Sequence, residues 1–156
     1  MEIKSLDVAI IAITGALYIA LGFIFQPISF MGLQFRVAEI VVGMCIIFPV
    51  PGLVGNLVGV FFVNLFSPLG PIDLISVLVN IPALYCIIFF REKKYLKFLG
   101  GILYALIISL YVGIILDLIL GLPWFIMFWQ VLISEIVLAT LGIVIFDYVG
   151  IQMNLS

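Results

Sequence analysis

The chain has 156 residues, of which 67% are apolar and only 9% charged, with a mean hydropathy of +1.50. A soluble domain carries about a quarter charged residues, so this composition cannot coat a globule in water; lipid is the solvent that it fits. The net charge of −2 says little about partners; no basic run of the kind that neutralises phosphates exists, so nucleic acid is not an expected partner, and continuous apolar runs in place of alternation exclude a β-barrel.

Roughly 20 residues cross a bilayer core as a helix, and the first span is predicted over residues 6–25. It ends in Phe25-Gln26-Pro27 and not at a small-residue cleavage site, which reads as a retained helix and not a signal peptide. Ala9, Ala12, Ala16 and Ala20 share one face of it. Such a face admits another helix closely, from within the chain or from a partner subunit.

A polar interruption follows, with Gln34, Arg36 and Glu39. The uncharged stretch 40–66 is broken by Pro49-Val50-Pro51-Gly52. Two prolines delete two backbone donors and push their preceding residues out of helical geometry. Two short helices are therefore predicted, over about residues 35–48 and 52–66, joined by a tight turn at the prolines. Gly55 and Gly59 repeat the small-residue spacing. After the turn Ser67-Pro68-Leu69-Gly70-Pro71, a span is predicted over 72–90 with a bend at Pro82. Residues 91–97 form the charged loop, 98–120 the fifth span, Gly121-Leu122-Pro123 a turn and 124–149 the sixth. Cys45 and Cys86 lie inside apolar runs and read as small core residues.

Lys and Arg concentrate on the cytoplasmic side. Four of the six lie in 91–97 and a fifth is Lys4. Six spans put both places on one side, so the expectation is an all-α protein of six transmembrane helices, both termini cytoplasmic, forming one domain over 1–156. A five-span reading, with 40–66 as one kinked helix, satisfies the charge bias equally; the proline-glycine break favours six.

The sixth cation, Arg36, then lies on the outer side, and most other polar residues gather at the same end. Gln34 and Glu39 are beside it, with Asn64, Asp73 and Asn80 near the outer ends of their spans. Asp117 closes the fifth span, and Trp124, Trp129, Gln130 and Glu135 descend along the sixth. Glu135, 12 residues beyond Pro123, lies roughly 18 Å deep. A carboxylate at that depth costs on the order of 2.5 kcal/mol unless paired, hydrated or protonated. It is read either as neutral and bonded between helices, or as lining an outward-open cavity. The companions have plain readings too: Asp73 at a helix N-terminus, Trp124 and Trp129 as interface anchors, Asn80 repairing the donor lost at Pro82, Asp117 in headgroup water.

No G-x-x-x-x-G-K-[ST] loop exists, so the chain does not hydrolyse ATP in the usual way. Without histidine, H-E-x-x-H or G-x-S-x-G it lacks zinc-protease and serine-hydrolase chemistry. No enzyme activity, metal or cofactor is expected. The size is small for a stand-alone alternating-access carrier. A binding module of a larger importer and a small structural or channel-like membrane protein are the two readings left.

The stretch Gly32-Leu33-Gln34-Phe35-Arg36-Val37-Ala38-Glu39 resembles the Q-F-R-x-x-E signature of the QueT family, substrate-binding S components of energy-coupling-factor (ECF) transporters thought to import queuosine precursors. Residues Asn64 to Asp73 are similar to the family's N-x-x-S-P-x-G-x-x-D segment, and Ser134-Glu135 with Gly142 to its last helix. The resemblance implies a plasma-membrane protein whose ligand pocket is capped by outer loops. It also implies a first helix, with Ala9, Ala12, Ala16 and Ala20, docking on a membrane-embedded coupling subunit driven by two ATPase subunits.

A 7-deazaguanine such as preQ0 or preQ1 presents its ring N–H and exocyclic amine as adjacent donors, which one carboxylate can accept. Glu39 and Glu135 are both candidates, with Arg36 fixing the carboxylate or the purine carbonyl and Trp129 or Phe35 stacking on the ring. Gln34, Asn64, Asp73 and Asn80 complete the expected site, and Asp73 or Asp117 would face the amine of a cationic precursor. Another vitamin-like ligand or tryptophan is the alternative within this class.

Overall fold

The computed structural model describes residues 4–30 and 34–154. Gly32 and Leu33, which precede the Q-F-R-x-x-E residues in the stretch quoted above, lie outside them. The described residues form helices and connecting turns, with no strand. Four helical stretches among them are long and apolar enough to cross a membrane: α1 (Ser5–Ile24), Pro71–Phe90, α6 (Leu96–Leu120) and α7 (Trp124–Gln152). Two shorter apolar stretches, Val37–Ile47 and Pro49–Leu65, lie between the first and second of these. A short α2 (Gln26–Phe30) follows α1; Val37–Gly43 is a 3-10 segment leading into α3 (Met44–Ile47); α4 is Pro49–Leu65; a 3-10 turn, Pro71–Leu74, opens into α5 (Ile75–Phe90).

The break expected in 40–66 is present, but not where the turn was placed. Phe48 leaves helical geometry (φ −122°, ψ 82°), as the residue before a proline is pushed to do. Pro49 and Pro51 then occupy the first turn of α4, where a backbone N–H has no helical partner to lose. The chain reverses at this point. Asn56 Nδ2 donates to the Val41 carbonyl at 3.3 Å, and a Cβ on Gly52 would stand 2.9 Å from the Met44 carbonyl carbon. One kinked helix over 40–66 could not make these contacts.

Glycines set the spacing of two helix seams. Along α1 and α4, Gly15 faces Gly55, Tyr18 faces Gly59 and Gly22 faces Val63, so the two helices run parallel. A Cβ on Gly55 or Gly59 would lie 2.5 Å from the Cβ of Thr14 or Tyr18; their small-residue spacing serves packing within this chain. The second seam joins the 3-10 segment to α7, where Gly43 and Gly142 lie backbone to backbone, and Gly150 packs on Ile47. Gly121, at φ 65°, ends α6 in the left-handed conformation that glycine adopts freely, and its N–H bonds Asp117 O at 2.9 Å.

Pro82 stands inside α5. Asn80 does not repair its missing donor: Asn80 Nδ2 bonds the Ser76 carbonyl at 2.9 Å, whereas the carbonyl released by Pro82 is that of Leu78. Cys45 is core; Cys86 is half-buried, its Sγ 3.3 Å from the Pro82 carbonyl.

Candidate functional site

The two seams enclose a set of polar side chains contributed by nearly every long element. Each is placed by local structure. Tyr18 lies on the α1 face that meets Gly59; the 3-10 segment carries Glu39 inward because Gly43 allows it to lie against α7; Asp73 sits in the 3-10 turn before α5. The Tyr18 hydroxyl donates to Glu39 Oε1 at 2.7 Å. Tyr104 Oη contacts Glu39 Oε2 and lies 3.2 Å from Asn80 Oδ1. Arg36 Nη2 is 4.0 Å from Asp73 Oδ2. Asn64 Nδ2 bonds Ser76 Oγ at 2.5 Å and Asp73 O at 3.2 Å. Gln34 (φ 46°) is buried, its carbonyl accepting from Ser134 Oγ at 3.3 Å.

The two central carboxylates are treated differently. Glu39, 1% exposed, has both oxygens engaged by tyrosines. Glu135 is fully buried and neither of its oxygens has a hydrogen-bond partner among the described residues. Such an acceptor costs roughly 1–3 kcal/mol or more when nothing donates to it.

Of the residues expected at the site, Gln34, Arg36, Glu39, Asn64, Asp73, Asn80 and Glu135 are all buried. Phe35 is half-buried and borders a 360 Å³ apolar hollow with Ile28, Gln130, Ile133, Ser134 and Val137. Trp129 is 48% exposed, and its ring packs on Phe125 and Phe128 alongside Trp124; it is grouped with an exterior aromatic cluster and not with the carboxylates. Asp117 is exposed at the end of α6. Tyr18, Tyr104 and Ser76 belong to the centre and were not anticipated. Ala9, Ala12, Ala16 and Ala20 all lie on the exposed side of α1.

The signature residues Gln34, Arg36 and Glu39, distant in sequence from Glu135, thus meet it in one buried centre. The model of the QueT transporter family matches residues 8–150. The chain belongs to the QueT transporter family. No curated protein and no solved structure matches it. Membership in QueT, together with the four long apolar helices, makes this a multi-pass integral membrane protein of a transport family and not of an enzyme family.

Proposed function

We propose that this QueT-family chain is the substrate-binding S component of an ECF-type importer, taking a queuosine precursor of the 7-deazaguanine class from outside and handing it over through a membrane-embedded coupling subunit with two ATPase subunits. The observation that carries the reading is Glu135: a fully buried carboxylate in the first half of α7, whose two oxygens have no donor among the described residues. A 2-aminopyrimidinone edge supplies two adjacent donors of the spacing that one carboxylate accepts. Glu39, already engaged by Tyr18 and Tyr104, is the weaker candidate for that contact.

The topology that goes with this function is six crossings with both termini cytoplasmic. It is supported by the parallel run of α1 and α4, which requires the chain to return between them, and by the reversal at Phe48. The alanine face of α1, left exposed by the described residues, is the docking surface proposed for the coupling subunit. The space beside Arg36, Tyr18 and Asn64 is about 10 Å³, room for at most one water. On this reading a purine is admitted by parting the residues around Arg36 from α1 and α4.

The test is calorimetry on the purified chain in detergent, with preQ0, preQ1 and queuine against guanine, tryptophan and riboflavin. Tight, saturable binding of a deazaguanine supports the reading. Binding of tryptophan or riboflavin alone redirects it to another ligand, and conductance in bilayers with no ligand binding replaces it with a channel.

A further inference from the structure

The end of the bundle away from the α6–α7 turn carries a second hollow, apart from the buried centre. Helices α1 and α4 begin at this end, α5 and α7 finish there and α6 starts there. Lys4, Arg91, Lys93, Lys94 and Lys97, five of the six cations, therefore share it. The hollow has a volume of 610 Å³, and contacts between elements hold its walls. Gly150 of α7 lies against Ile47 of α3, and Lys97 Nζ at the start of α6 stands 2.5 Å from Asp147 Oδ2 of α7. Its apolar side is Ile46, Ile47 and Ile151; its charged side holds Arg91 and Lys94 beside that ion pair. Three lining cations meet two carboxylates, Glu92 and Asp147, which leaves a surplus of one positive charge. Asp147 is engaged with Lys97. Glu92 meets Arg91 at 3.0 Å, but its side chain is 80% exposed, and such an exposed pair is weak enough for a better-placed anion to displace.

We propose that this hollow binds the headgroup of an anionic phospholipid, its phosphodiester on Arg91 and Lys94 and its first acyl carbons against Ile46, Ile47 and Ile151. Depth supports a lipid. The 29 residues of α7 extend about 43 Å, more than the roughly 30 Å of a hydrocarbon core, so its last turns stand among headgroups. Tyr95 and Tyr148, both well exposed, lie at the same level, as aromatic side chains at a membrane interface do. Charge supports it too. A phosphodiester carries the one negative charge that the lining lacks, and a guanidinium donates two parallel N–H bonds to such a group. A soluble phosphate would leave the isoleucine wall bare, whereas a lipid covers it. The charge bias assigns this end to the cytoplasmic leaflet, where anionic lipids concentrate.

Native mass spectrometry of the whole chain in a neutral detergent tests this, with short-chain phosphatidylglycerol and phosphatidylcholine of the same chain length as probes. Phosphatidylglycerol is expected to bind about tenfold tighter than phosphatidylcholine. The double variant Arg91→Gln/Lys94→Gln should lose that preference. Lys4→Gln/Lys93→Gln removes the same charge from the same end but from outside the hollow, and should keep it. All four side chains lie exposed or half-buried, so both variants should melt like the parent. Equal binding of the two lipids overturns the proposal. An equal loss in both double variants does so as well, since the end would then attract anions without a site. Glycerol phosphate displacing the lipid at equal concentration would assign the hollow to a soluble phosphate instead. If Arg91→Gln/Lys94→Gln retains the lipid preference but no longer co-purifies with the coupling subunit, the hollow receives a protein and the lipid assignment falls.

Discussion

The glycine seams and the polar centre they surround solve opposite problems in lipid. Along α1–α4 and between the 3-10 segment and α7, the chain removes side chains so that backbones can touch; the interaction is van der Waals contact, with little hydrophobic driving force between helices. In the centre the chain does the reverse and buries charge, which is costly unless each group finds a partner. Glu39 finds two tyrosines; Glu135 finds no partner among the described residues. The seams therefore hold the protein together, and the centre, left incomplete at one residue, is where a ligand would contribute.

The contrast is broken most severely at the second seam. Gly43→Val places a branched side chain against the Gly142 backbone, which cannot yield as a side chain would. A loss on the order of 3 kcal/mol is expected, seen as a collapse of the melting temperature in detergent and a poor yield of monodisperse protein. A variant that melts like the parent would show that the seam is looser than its geometry.

Ala16→Leu on the exposed side of α1 separates the outer face of that helix from its inner one. The described residues leave Ala16 exposed, so melting temperature and ligand binding should hold while co-purification with the coupling subunit is lost. Normal co-purification would remove the docking role of this face and leave the α1–α4 seam untouched.

At the centre, Glu135→Gln keeps the volume and removes the charge. Ligand affinity should fall by roughly 1.5–3 kcal/mol, the range for hydrogen bonds to charged groups, with little change in melting temperature because no hydrogen bond to Glu135 from the described residues is lost. Unchanged affinity would sink the proposed role.

How much of this was legible in the sequence depends on what lipid penalises. Glu135 stood out because a charge deep in an apolar span needs a reason, Arg36 because it lies against the charge bias, and Glu39 and Asp73 because they gather at the same outer end; all four lie buried. Tyr18 and Tyr104 did not, since a tyrosine inside a span is only mildly costly and looks like any other aromatic; a depth argument like that for Glu135 would have flagged Tyr18, 13 residues into α1. Trp129 was ambiguous for the converse reason, an amphipathic ring suiting both a ligand and an interface. The boundaries of α1, α6 and α7 followed from apolar length. The start of α4 did not, because prolines that break a helix interior and prolines that open a helix read alike until Phe48 shows which side carries the turn.

The smallest effect is expected where charge meets water. Lys97 Nζ and Asp147 Oδ2 lie 2.5 Å apart, tying the start of α6 to the end of α7, with side chains 12% and 27% exposed. This pair has the closest contact of the ion pairs described, yet bound water and salt screen much of what it offers. Lys97→Met retains the packing of the long apolar stem and should lower stability by less than about 1 kcal/mol, with the difference shrinking as salt is raised. A loss comparable to that of Gly43→Val would mean that this end of the bundle depends on charge as the centre does. The division between dry seams that carry stability and buried charge that carries function would then have to be drawn elsewhere.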